Sequence, residues 1–377
     1  MSYTALFYAV NGLGLGHLTR CLAVARKIRR LDAACQPLFI TSSEACHVLY
    51  REGIPYYHLP SKNVAARAGI TRSQLMQMYQ LTVQNVVAVH RPAVFVVDSF
   101  PIGSLYDLFN VLTLPNGMRR VFIHREQRRE AMDETRVRQQ NLYHLIIAPH
   151  EEGAAEIPVM PLGSEAARIF WSGPILVRSR DELLTREEAR RIIGAPADKK
   201  LVYVSLGGGG DEQAQTAFEI IEAAALGFLE IHLVVARGPL APTAPPSRHR
   251  TSYVDWYPMM ELFAAFDAAI SAAGYNAFHE LLYCGVPTVF LPQERGYDDQ
   301  HRRARAARER GAAEIVEELS PGSLQRALSR VLEASVAREM KQRAQQMVSV
   351  NGAENAARAI LELASGEQSG TSGRLFN

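Results

Sequence analysis

The chain is poor in the features that most quickly assign a class. It has only four cysteines in 377 residues, Cys21, Cys35, Cys46 and Cys284. None forms a C-x-x-C pair, so neither structural zinc nor a disulfide framework is expected, and the thiols read as small core residues of a reducing compartment. A charge excess of either sign is missing as well. The 41 Lys and Arg nearly balance the 39 Asp and Glu, leaving a formal net charge of +2. That balance supplies no global drive towards nucleic acid, so partners have to be argued locally. No segment approaches 18 uninterrupted apolar residues, and the start of the chain runs into a strand-like segment without a basic region or cleavage site. A cytoplasmic protein is the expectation. Short tandem repeats are absent, and so is a convincing D-x-D metal motif.

What is present is the composition of a folded protein, 47% hydrophobic and 21% charged, in a chain longer than one core usually organises. Two domains are therefore expected. Buried-looking strands recur at "LFYAV", "QPLFIT", "AVFVVDS", "RRVFIH" and "HLIIAP", with helical or loop stretches between them. A second series runs through "KLVYVSL", "IHLVVARG", "DAAISA", "VPTVFLP" and "AAEIV". This is the pattern of an α/β protein with two doubly wound parallel sheets. The segment "FWSGPILVRSRDELLTREEA" lies between the series, and its Gly173-Pro174 pair reads as a hinge. The predicted domains are residues 1–176 and 177–365, followed by a flexible polar tail over 366–377.

The stretch "FYAVNGLGLGHLTRCLAVARKI" reads as strand, tight loop and helix, because Leu18, Cys21, Leu22, Ala25 and Ile28 recur at helical spacing after three alternating glycines. Gly12, Gly14 and Gly16 permit close backbone approach at a helix entrance, where free N–H groups favour anionic or electron-rich oxygens. A dinucleotide fingerprint would need Gly-x-Gly-x-x-Gly, and His17 stands in the third position. It would also want an acid after the second strand, where Thr41, Ser42 and Ser43 precede Glu44. His17 is left as either a catalytic group or a capping and packing residue. Asp98, ending "AVFVVDSF", either orients His17 or caps a following helix. In the second series Gly207, Gly208, Gly209 and Gly210 follow a strand and are suited to wrap a diphosphate with backbone N–H groups, with Asp211 a plausible N-cap.

The stretch "SAAGYNAFHELLYCGVPTVFLPQERGYDDQHRRARAARERGAA" decides the class. It resembles the donor-binding region of nucleotide-sugar glycosyltransferases with the two-domain GT-B fold, in particular the MurG-like branch and its uncharacterised relatives. "GLGLGHLTRCLAVA" is similar to the same group's first glycine loop, so the resemblance reaches both halves. It implies two Rossmann-like domains facing a cleft, with acceptor bound by the first and nucleotide-sugar donor by the second. Glu280 then falls where the family holds the nucleotide ribose, since a carboxylate accepts from both vicinal hydroxyls. Gly274, Tyr275 and Asn276 fall where a helix begins under the diphosphate, an N-cap role competing for Asn276. The pair Asp299 and Gln300 aligns with donor-sugar contacts, against the simpler reading of a solvated helix start. Trp256 is a candidate to stack on the base, or a buried corner tryptophan. Plant-type relatives carry a phosphate-binding histidine where this chain has Ala272.

The resemblance further implies an inverting, metal-independent transferase of hexosyltransferase type with no cofactor, in which His17 takes the acceptor proton and the sugar nucleotide is uridine-linked. The arginine-dense "RRVFIHREQRREAMDETRVR" places His124 and Arg125 as acceptor-side candidates, with a small-molecule or lipid-linked acceptor and a peripheral membrane contact in view. A solvated helix face compensated by Glu126, Glu130, Asp133 and Glu134 is the commoner explanation of that run. Two alternatives remain. A sugar-nucleotide hydrolase on the same fold carries a similar Gly-His-x-x-Arg loop, which "GHLTR" meets, and a non-catalytic sugar-nucleotide sensor would keep the site without turnover.

Overall fold

A computed structural model of the chain describes residues 2–10, 15–114, 117–125, 134–150, 167–207, 212–237, 250–295 and 298–366. The described residues form two compact units, one holding the chain up to Ile175 and again from Gly352, the other holding Leu176–Asn351. In the first unit, β1 (Tyr3–Ala9), β2 (Cys35–Thr41), β3 (Tyr56–His58), β4 (Val94–Asp98), β5 (Arg119–Ile123), β6 (Leu145–Ala148) and β7 (Arg168–Trp171) pair in the order β3-β2-β1-β4-β5-β6-β7. The second contains β8 (Lys200–Ser205), β9 (Ile231–Ala236), β10 (Thr251–Val254), β11 (Ala268–Ser271), β12 (Thr288–Phe290) and β13 (Glu314–Ile315), ordered β10-β9-β8-β11-β12-β13. All pairings are parallel. Such sheets need cover on both faces, and their central strands are apolar on both. In β8, Leu201 and Tyr203 enter one buried cluster while Val202 and Val204 enter another.

The strand order reverses between β1 and β4 in the first unit and between β8 and β11 in the second. At such a point the loops leaving neighbouring strands run in opposite directions and open a crevice at the strands' carboxyl ends. Of the glycine-loop candidates, Gly16, His17 and Gly207 lie beside these reversals.

Helix α1 (Gly16–Leu31) buries the five predicted apolar positions completely. It also buries Thr19, Arg20, Ala23 and Val24, a wider face than amphipathic spacing implies. The further cover comes from a helix at the far end of the chain, Ala353–Ser365, whose Ala353, Ala356, Ala357, Ala359 and Ile360 are buried in the same unit. The sequence reading placed this helix in the second domain, whereas the structure packs it on α1, where a face of small side chains permits close approach. Gly352 lets the chain return: a Cβ there would stand 2.2 Å from the carbonyl oxygen of Gly173. The remainder of the predicted tail, from 367, lies outside the described residues.

Candidate active site

The reversal in the first unit assembles three polar side chains. Asp98 is the last residue of β4, and α1 starts just beyond β1, the strand beside it, so His17 and Arg20 on the first turn of α1 both reach its carboxylate. His17 Nδ1 contacts Asp98 Oδ2. Arg20 donates from Nε to Oδ1 at 2.9 Å and from Nη2 to Oδ2 at 2.7 Å. Ser99 donates its hydroxyl to Oδ2 at 3.2 Å and accepts from Arg20 Nη2 at 3.3 Å. Its φ of +64° turns the chain sharply after β4, and the Phe100 N–H donates to the Asp98 carbonyl at 2.8 Å. A non-glycine residue in that region is strained, and such strain collects at functional sites. Phe100 then lies along the imidazole, with ring centroids 5.6 Å apart.

The electrostatics follow from this packing. Burial alone would raise the Asp98 carboxyl, but the Arg20 and His17 charges and hydrogen bonds outweigh it and hold the group well below the usual carboxylate range. An ionised carboxylate only accepts, so His17 Nδ1 carries the proton and the Nε2 lone pair is left for another partner. Burial lowers the His17 pKa; Asp98 opposes that, while Arg20 and Arg125 add to it. The His17 side chain keeps 15% exposure, whereas those of Asp98 and Arg20 have almost none. The arrangement is an oriented, neutral imidazole whose Nε2 makes no hydrogen bond among the described residues.

His124 and Arg125 directly follow β5. His124 is buried and held neutral, its pKa pushed down to about 4 by burial and by the neighbouring Arg125. It packs edge-on to Phe122 at 5.9 Å. Arg125 acts on the His17 ring through its charge. Gly16 is the first residue of α1, and a Cβ there would meet nothing within 4 Å. Gly14 lies outside the described residues.

At the reversal in the second unit the polar groups are arranged differently. Helix α2 (Tyr275–Cys284) begins after β11, with Gly274 as its N-cap and without a side-chain capping bond. A Cβ on Gly274 would meet only Gln300 Nε2, at 4.0 Å. Asn276 Oδ1 is buried with no hydrogen-bond partner among the described residues. One turn on, the half-buried Glu280 makes no hydrogen bond or ion pair among the described residues, and burial pushes its carboxyl up to about 7. Asn276 and Glu280, four residues apart, share a face of α2. Two acceptor side chains left without donors define a surface suited to a ligand rich in hydroxyl or N–H groups.

The surrounding loops are tied to one another. Gly207, with φ +93°, follows β8, and Gln293 donates to the carbonyl of the preceding Leu206 at 2.8 Å. The Gln293 N–H donates in turn to Gln300 Oε1 at 3.0 Å, so Gln300 is buried and engaged within the protein. Asp299 caps helix α3 (Gln300–Glu309) by accepting from the Arg302 N–H at 3.0 Å. Trp256 is half-buried against the core, its indole N–H donating to Glu261 at 2.9 Å. Tyr275 is buried and packs on His279. Gly208, Gly209 and Gly210 lie outside the described residues.

Sequence reasoning missed the groups that hold these loops. Arg303 is buried, donating to the Ala273 carbonyl at 2.6 Å and to Asp298 at 2.8 Å, and so ties the start of α3 to the entrance of α2. Gln293 and Ser99 likewise received no role. A signal existed for the two arginines: Arg20 and Arg303 each stand three residues after a candidate polar residue, among positions that helical spacing buries.

Residues 209–360 match the glycosyltransferase family 28 C-terminal domain. An uncharacterized glycosyltransferase of Methanopyrus kandleri is 27% identical over 196 residues, 51% of this chain and 54% of that protein. A UDP-N-acetylglucosamine–N-acetylmuramyl-(pentapeptide) pyrophosphoryl-undecaprenol N-acetylglucosamine transferase of Corynebacterium glutamicum is 27% identical over 149 residues, 38% of this chain and 40% of that protein. The chain thus spans about half or less of the length of these curated relatives. Among solved structures, the glycotransferase of kitacinnamycin superposes with a TM-score of 0.67 at 17% identity, covering 96% of this chain and 99% of that one. No described helix is long and apolar enough to cross a membrane. With two parallel α/β sheets and this superposition, the chain has the GT-B fold, and its residues 209–360 are similar to the glycosyltransferase family 28 C-terminal domain.

Proposed function

We propose that the protein transfers a hexosyl group, with inversion, from a uridine diphosphate sugar to an acceptor hydroxyl, the first unit binding the acceptor and the second the donor. The observation that carries this reading is the His17–Asp98 pair at the strand reversal of the first unit. The acceptor oxygen attacks the anomeric carbon as the bond from that carbon to the diphosphate breaks, and the acceptor proton passes to His17 Nε2. A base of this kind contributes roughly 10²–10⁴-fold when its pKa lies near the working pH. Asp98, ionised throughout, holds the ring and stabilises the imidazolium formed. In the second unit Glu280 accepts from the ribose hydroxyls, Asn276 and the backbone at Gly274 lie under the diphosphate, and Asp299 meets the donor sugar with the oxygen its cap leaves free. The nucleoside diphosphate leaves against backbone N–H groups of the loop opened by Gly207.

The sequence has no D-x-D pair to hold a divalent cation on the diphosphate, so turnover is expected to persist in excess chelator. Loss of activity that magnesium or manganese restores would contradict this. The whole reading is tested by incubating the protein with a panel of nucleoside diphosphate sugars, with and without candidate acceptors, and analysing products by mass spectrometry. Release of uridine diphosphate that depends on acceptor is the expected result. Free sugar without acceptor would instead make water the acceptor, and tight binding without release would make the protein a sensor.

A further inference from the structure

Arg20 is an unusual residue to find in this position. It is 2% exposed, and two of its nitrogens are spent on one carboxylate that already serves His17. A histidine–carboxylate pair needs only two members to fix a tautomer. The third member changes the charge count: Asp98 and Arg20 together sum to zero, and a protonated His17 would leave the buried cluster with a net positive charge. Without Arg20, the same protonation would neutralise a buried carboxylate and so be favoured.

We propose that Arg20 is a positioning residue for His17. By occupying both Asp98 oxygens and balancing their charge, it lets the carboxylate orient the imidazole without drawing a second proton onto it. The plane of the carboxylate is fixed by two donors from one rigid guanidinium fork, a geometry lysine does not reproduce. The charged groups acting on the ring are Asp98 at the end of β4, Arg20 on the ring's own helix and Arg125 beyond β5. Neither β1 nor β2, which also pack on α1, carries a charged side chain. On the covering helix Ala353–Ser365, Glu354 pairs with Arg358, and Glu362 with Arg168. Arg20 therefore opposes Asp98 at the closest range. The direction of the His17 pKa, below its ordinary value despite an adjacent carboxylate, agrees with this balance.

The relevance of Arg20 to turnover rests on His17 being the base, but its hold on the ring can be measured without substrate. In full-length protein with isotope-labelled histidine, His17 is assigned by its loss in His17→Gln and titrated by NMR. Arg20→Met should raise its pKa by at least one unit, and Arg20→Lys should return most of that shift. Arg20→Met leaves a buried carboxylate and risks the fold, so a second comparison removes that carboxylate. Against Asp98→Asn alone, the double variant Asp98→Asn, Arg20→Met loses a cation beside the ring, and its His17 pKa should be the higher of the two. An unmoved pKa in folded Arg20→Met, or equal values in the Asp98→Asn pair, would overturn the proposal. A lowered rate with an unmoved pKa would show a merely structural arginine and overturn it too. An NMR shift that the acid limb of kcat does not follow would uphold the hold of Arg20 on the ring and refute His17 as the base.

Discussion

The two units repeat one architecture, and their strand reversals are furnished in opposite ways. At the first, among the described residues, the carboxylate is engaged from several sides: Asp98 accepts from His17, Arg20 and Ser99, and the His17 Nε2 is left without a hydrogen bond. At the second, Glu280 and Asn276 Oδ1 face no donor among the described residues. Satisfied polar groups are rigid and hold one orientation, which suits a group that must meet a reacting atom. Unsatisfied ones are costly to bury and gain most when a ligand supplies the missing donors. On the proposed reading, the same fold separates a place suited to geometry from a place suited to affinity.

Removing one side chain from each site should break two different quantities. His17→Ala should lower turnover by roughly 10²–10⁴-fold while leaving the affinity for uridine diphosphate within about twofold, because the nucleotide is assigned to the other unit. Near wild-type turnover at saturating donor and acceptor would end the comparison. Glu280→Ala should do the reverse. Each charge-assisted hydrogen bond lost is worth about 1.5–3 kcal/mol, so calorimetry should show the uridine diphosphate Kd rising by at least roughly tenfold. Unchanged affinity in a folded variant would remove Glu280 from the site.

The two carboxylates should also pull stability in opposite directions with pH. Asp98 has a folded-state pKa below its unfolded value, so its contribution is full above the ordinary carboxylate range and is lost as pH falls through the lower folded value. For Glu280 the folded-state pKa lies at about 7 against an ordinary 4.5. The folded protein holds a proton that the unfolded chain releases, and stability falls as pH rises across that window. Glu280→Gln should therefore be more stable than wild type at pH 8, by something on the order of 1 kcal/mol, and show no gain at pH 4. Thermal melts of both proteins across this range check the sign. A constant difference at all pH values would mean that Glu280 is not desolvated.

Much of this was readable beforehand, and the omissions have a physical pattern. Ten strands announced themselves as apolar runs, nine of them central parallel strands buried on both faces and the tenth the edge strand β13. The three that did not, β3, β7 and β10, lie at sheet edges and have mostly half-exposed side chains, such as Tyr57 and Arg168, so their composition resembles that of a linker. His17 and Asp98 were visible as residue types at strand ends, and the strand order then brought them together. Arg20 and Arg303 showed in the sequence only through their helical spacing, because a sequence shows their charge and hides the carboxylates, 78 and 5 residues away, that make burial tolerable. The last helix was misplaced for a related reason, since an alanine-rich face carries no mark of which unit it will cover.

The smallest expected effect concerns Asp299, which stands where the two kinds of site meet in one residue. One oxygen accepts from the Arg302 N–H and caps α3, a satisfied role of the first unit's kind. The proposed contact to the donor sugar would use the other oxygen, an open role of the second unit's kind. Asparagine caps a helix about as well as aspartate but presents a neutral, half-donor amide to a sugar, so it separates the two. Asp299→Ala should cost about 1 kcal/mol of stability through the cap, whereas Asp299→Asn should stay within a few tenths. A single neutral hydrogen bond is worth about 0.5–1.5 kcal/mol, so the donor KM of the folded Asp299→Asn protein should rise by roughly 2–10-fold. If KM does not move while Asp299→Ala loses stability, Asp299 belongs wholly to the helix, and Gln300, already spent on the Gln293 N–H, leaves the sugar to be recognised by other groups.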